Sequence, residues 1–92
     1  MAKVKLSGFI IVPEHDLEVV VSELPNHIHL TRNEPGCLSF QVSQSDANPQ
    51  RFDVTEEFAS RAAFEQHQAR IKTSRWGEVT GNVARHYEIK EE

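Results

Sequence analysis

The strongest constraint on this chain is a change of period between Phe52 and Gln68. Phe52, Val54, Glu56 and Phe58 alternate with Asp53, Thr55 and Glu57, the two-residue repeat of a strand. From Ser60, a residue type suited to capping a helix, Ala63, Phe64, His67 and Ile71 recur at helical spacing instead. A strand therefore feeds a helix. Two polar residues interrupt the apolar faces. Glu56 stands where the strand's inward face calls for a hydrophobe, and His67 sits on the helix's apolar stripe. Polar groups aimed at a core need partners or a ligand.

The flanking chain repeats the same alphabet. Lys3 to Val12 alternates and ends in Phe9-Ile10-Ile11-Val12, apolar on both faces, which reads as a central strand. Pro13 and Glu14 open a helix whose inward stripe is expected at Leu17, Val20, Val21, Leu24 and Ile28. Pro25 should kink it or start a second short helix, and Glu34-Pro35-Gly36 should stop it. Cys37 to Ser43 reads as a second strand with Leu38, Phe40 and Val42 on one face, followed by a hairpin loop over Ser45 to Gln50. Thr73 to Gly77 reads as a loop or short helical turn ending at Gly77 or Gly81. Val83 to Ile89 is the last strand, with Val83, Arg85, Tyr87 and Ile89 on one face, and Lys90 to Glu92 form a solvated tail. The order β-α-β-β-α-β, with right-handed crossovers and an adjacent hairpin, predicts an α+β ferredoxin-like plait. Its four antiparallel strands would carry both helices on one face.

Composition excludes several functions. A chain of 92 residues makes one small domain, 1–92, with a single core. A net charge of −4 with scattered Lys and Arg disfavours nucleic acid, which needs a concentrated basic face. Cys37 is the sole cysteine, so no intrachain disulfide forms and a reducing compartment fits. No apolar run reads as a signal peptide or membrane span, so a cytoplasmic location is the expectation. His27 and His29 lie two apart and His15, His67 and His86 lack ligand spacing, so no metal is expected. No glycine-rich phosphate loop or flavin fingerprint appears, so no cofactor is expected either.

Three segments carry a resemblance. Glu34-Pro35-Gly36-Cys37-Leu38-Ser39-Phe40 resembles the lead into the second strand of the antibiotic biosynthesis monooxygenase family. Phe52, Val54, Glu56 and Phe58, then Ala63-Phe64 and His67, look like that family's strand-to-helix block, and Arg85-His86-Tyr87-Glu88-Ile89 is similar to its last strand. The resemblance implies a homodimer whose sheets make an α+β barrel, with a small-molecule cavity in each subunit. It also implies oxygenation of a quinol or hydroxy-aromatic without metal, haem or flavin. The family includes haem-degrading members that use an asparagine on the first strand; Lys3 to Val12 contains none. The rival is a member that binds or isomerises a small carbonyl metabolite in the same cavity.

Glu56, Arg85 and Tyr87 should share a sheet face beneath His67. Cofactor-free oxygenation requires the substrate hydroxyl to lose its proton. His67 suits the base, Arg85 the stabilisation of a phenolate or peroxide anion, and Glu56 the orientation of the histidine or pairing of the arginine. The plainer alternative is a structural ion pair tying helix to sheet. Trp76 and Tyr87 are candidates for lining an aromatic pocket, with Phe64 beside them and His27 near its mouth; a partly exposed helical histidine is the plainer reading for His27.

Overall fold

The computed structural model describes residues 3–92. Four strands, β1 (Val4–Ile11), β2 (Cys37–Gln44), β3 (Arg51–Phe58) and β4 (Ala84–Glu91), form one antiparallel sheet in the order β2-β3-β1-β4. Between them run a 3-10 turn (Glu14–Asp16), α1 (Leu17–Arg32), α2 (Arg61–Lys72) and a short α3 (Arg75–Val79). This is the predicted ferredoxin-like α+β plait. The double-faced apolar end of the first strand matches β1, which sits inside the sheet.

The core lies between sheet and helices. Val4, Leu6 and Ile10 of β1 and Phe52, Val54 and Phe58 of β3 point into it, joined by Phe40 of β2, Val20 of α1 and Phe64 of α2. Burying each such side chain is worth roughly 1.5–3 kcal/mol. Both longer helices are placed by this face. Ser60 caps α2, its side chain accepting from the Ala63 amide at 3.1 Å, as the sequence implied.

Several local expectations are corrected. Of the two outcomes expected at Pro25, the second short helix does not form: α1 is one helix from Leu17 to Arg32. The proline removes the hydrogen bond to the Val21 carbonyl; Val21 is 42% exposed, so water can replace it. Of the expected stripe, Val20 is buried and Leu17, Leu24 and Ile28 pack against the core, joined by buried His27 and Thr31; only Val21 faces out. In β2 an irregularity between Cys37 and Ser39 turns Leu38 outward, 53% exposed, so Cys37 and Phe40 occupy the inner face. Of the alternatives for the segment after Ile71, the short helical turn closing at Gly81 is the one found: α3 runs Arg75–Val79, passes through Gly77 and is followed by Thr80 and Gly81. The last strand begins at Ala84 and extends into the expected tail, while Val83 is a buried residue just before it.

Candidate functional site

Strand pairing puts Glu56 in the middle of the sheet's inner face, opposite Leu6 of β1 and Phe40 of β2. It is 8% exposed. The turn after α1 then brings a second carboxylate close. Gly36 has φ 84°, and a Cβ there would lie 2.6 Å from the Ala63 side chain. Only glycine combines that left-handed backbone with so close an approach to α2. Glu34, two residues earlier, therefore reaches α2, where its Oε2 lies 2.7 Å from His67 Nδ1. Its Oε1 accepts a short hydrogen bond from Arg70 Nε, and Arg70 Nη2 donates to Thr31 Oγ1 at 3.1 Å. The His67 ring is 1% exposed and packs against Phe58, with ring centroids 4.9 Å apart. Its Nε2 faces Glu56 Oε1 at 3.8 Å, beyond hydrogen-bond reach.

Above Glu56 lies a cavity of about 200 Å³. Leu6, Ile10, Phe40, Val42, Val54 and Ile71 make it apolar; Glu56, His27, Trp76, Arg85 and Tyr87 supply its polar and aromatic wall. His27, 3% exposed, stacks on Trp76 with rings 4.5 Å apart and 6° from parallel, and meets Phe40 edge-on at 5.4 Å. Thr80 ties the other wall together: its hydroxyl donates to the Trp76 carbonyl at 2.6 Å and accepts from Arg85 Nη2 at 3.1 Å. The inner face of the edge strand β4 is uncovered, with Tyr87 and Ile89 exposed, so the cavity opens on that side.

Electrostatics follow from burial. Loss of water, then the neighbouring Glu34 carboxylate, pushes Glu56 up to about 7. Burial, reinforced by His67 and Arg70, lowers His27 to about 3, so it is neutral. His67 is also lowered, chiefly by burial, although Glu34 pulls the other way. Tyr87 is 38% exposed, yet its ring lines the cavity, and loss of water there, then Glu56, raises its phenol to about 12, so it keeps its hydrogen. Burial likewise raises the Cys37 thiol, which does not favour a nucleophilic thiolate. Among the described residues, His27 Nδ1, Glu56 Oε1 and His67 Nε2 are buried polar atoms without a protein partner. Such groups mark a place for a ligand or water. Among the described residues, no cluster of three His, Cys, Asp or Glu side chains converges as metal ligands would.

Of the residues singled out from sequence, Glu56, Arg85, Trp76, Tyr87 and His27 line this one cavity. His27 is not partly exposed, because the continuous α1 turns it inward. His67 lies behind Glu56 rather than on the cavity wall, and Phe64 packs in the core against Phe58, with ring centroids 5.8 Å apart. Glu34 and Arg70 were not anticipated. An acidic residue before a Pro-Gly turn was visible, but nothing in its spacing tied it to His67, 33 residues away.

Fold and site together define a small α+β domain with a largely apolar cavity for a small molecule, open beside β4, and a buried carboxyl at its floor. The chain belongs to the antibiotic biosynthesis monooxygenase family, whose sequence profile matches residues 7–77. No curated protein matches it significantly. Among solved structures it resembles an antibiotic biosynthesis monooxygenase at 22% identity and TM-score 0.76, covering 100% of this chain and 96% of that one. A protein from Bacteroides thetaiotaomicron, provisionally named an antibiotic biosynthesis monooxygenase, matches at 26% identity and TM-score 0.77 over 99% and 87% of the two chains. A protein from Shewanella oneidensis matches at 24% identity and TM-score 0.75 over 99% and 90%. No helix among the described residues is long and apolar enough to cross a membrane.

Proposed function

We propose that the chain is a cofactor-independent monooxygenase that oxidises a small quinol or related hydroxy-aromatic with dioxygen in this cavity. One observation carries the reading: buried Glu56 lines an apolar, aromatic-walled cavity, and its Oε1, without a protein partner, lies 3.8 Å from His67 Nε2. Glu56, rather than His67, is the group that meets the substrate. Its carboxylate takes the substrate's hydroxyl proton and holds it, with the neutral His67 ring 3.8 Å behind. The resulting anion is electron-rich enough to reduce dioxygen. Carbon–oxygen bond formation then gives a peroxide anion, which the Arg85 guanidinium on the cavity wall stabilises. Return of the stored proton and loss of a further ring hydrogen release water and leave a quinone. One oxygen atom enters the product, the other leaves as water, and the substrate supplies all the electrons.

His27 and Trp76 offer a stacked pair against which a planar ring can lie. Activity should rise with pH through about 7, as Glu56 ionises. Oxygen uptake with a panel of hydroquinones and dihydroxynaphthalenes tests the reaction, with Arg85→Lys expected to lower turnover because an ammonium lacks the planar fork. No uptake with any of them, together with tight binding of a non-aromatic carbonyl compound, would favour an isomerase. A carboxyl titrating near 7 beside a neutral imidazole also suits carbon-to-carbon proton transfer.

A further inference from the structure

The two nitrogens of His67 have different surroundings. Nδ1 lies 2.7 Å from Glu34 Oε2, whereas Nε2 has no partner and faces Glu56 at 3.8 Å. A carboxylate only accepts hydrogen bonds, so the ring hydrogen belongs on Nδ1 and the lone pair on Nε2. Glu34 is itself held. Arg70 donates to its other oxygen and is anchored in turn to Thr31 on α1. Neither Glu34 nor Arg70 lines the cavity.

We propose that Glu34, clamped by Arg70, is a positioning residue that fixes the Nδ1–H tautomer of His67 and so keeps its basic Nε2 turned toward the cavity carboxyl Glu56. Its consequence for turnover rests on the reaction proposed above; its statement about the histidine does not. The arrangement makes a sharp prediction for Glu34→Gln. Arg70 Nε–H would hold the amide oxygen, leaving the amide N–H group to face His67 Nδ1. A donor there forces the ring hydrogen onto Nε2, toward Glu56, and removes the lone pair that faced it.

Nitrogen-15 NMR of the histidine-labelled full chain decides this, at pH about 8 where an imidazole is neutral. The His67 signals are assigned by their absence from His67→Gln. We expect Nδ1–H in the wild type, Nε2–H in Glu34→Gln, and Nδ1–H again in Arg70→Met, which leaves the carboxylate in place. Glu34→Gln should also move the pH midpoint of activity below that of the wild type with little change in KM, because an Nε2–H facing Glu56 stabilises its carboxylate. A wild-type ring protonated on Nε2, or a Glu34→Gln ring still protonated on Nδ1, would overturn the inference. If Glu34→Gln does not fold, the wild-type spectrum alone decides it. If the wild type oxidises no hydroxy-aromatic, the proposed reaction fails while the tautomer measurement still supports or overturns the role of Glu34.

Discussion

Burial holds a proton on Glu56 up to about pH 7, against an ordinary value of 4.5. In the unfolded chain the proton leaves near 4.5, so between these values the folded state binds more protons. Stability therefore falls as pH rises from 4.5 to 7, by roughly 3 kcal/mol at about 1.4 kcal/mol per pH unit. Glu56→Gln keeps the shape without the charge. It should melt higher than the wild type at pH about 8 yet turn over at least ~10²-fold more slowly. A lower Tm at that pH would contradict the desolvation of Glu56. His27 works in the opposite direction. Its folded value of about 3 lies below the ordinary 6.5, so its contribution is present above 6.5 and is lost as pH falls toward 3. His27→Phe retains an aromatic ring against Trp76 and cannot titrate. Acid titration followed by circular dichroism should show its unfolding midpoint at lower pH than the wild type.

At the scale of elements, the turn between α1 and β2 is the joint that assembles the site. Gly36 lets it lie against α2, and the Gly36 carbonyl accepts from the Ala59 amide at 2.8 Å. Gly36→Ala adds a left-handed penalty of ~1–2 kcal/mol to a side-chain collision with Ala63. Urea denaturation should show a loss of at least about 2 kcal/mol. An alanine variant as stable as the wild type would mean that the turn can move away from α2. The continuity of α1 matters equally, because a break at Pro25 would have reset the facing of His27 and Thr31. Residues at 20, 24, 27 and 31 form a regular stripe, two of them polar, and the polar pair serves the site.

At the scale of the molecule, the helices leave one sheet face and the edge strand β4 unsheltered. On the outer face Phe9 stacks on His86 at 4.7 Å, and Arg51 lies over the same ring at 3.9 Å. Large apolar side chains on an open sheet, flanked by polar ones, invite a second copy. Covering that face would add burial that a small domain lacks. Light scattering at micromolar concentration should give twice the 10.5 kDa chain mass. Phe9→Asp should shift the particle toward the single-chain mass. A monomeric wild type would remove the barrel arrangement expected from the family.

The order of elements and the facing of most strands are legible in the residues alone, because these are periodic signals carried by neighbours. Glu56 announced itself for the same reason: a carboxylate at an inward strand position breaks a local pattern. Which polar groups meet depends on packing between distant elements. His27 faces the cavity because α1 runs on through Pro25, where an exposed Val21 lets water replace the lost hydrogen bond. Leu38 turns outward because one irregular residue in β2 shifts the pairing with β3. Glu34 reaches His67 because the sheet order places β2 beside β3 and Gly36 lets the turn rest on α2. Contacts between residues 33 apart leave no periodic trace, since they depend on how elements pack rather than on how each one repeats.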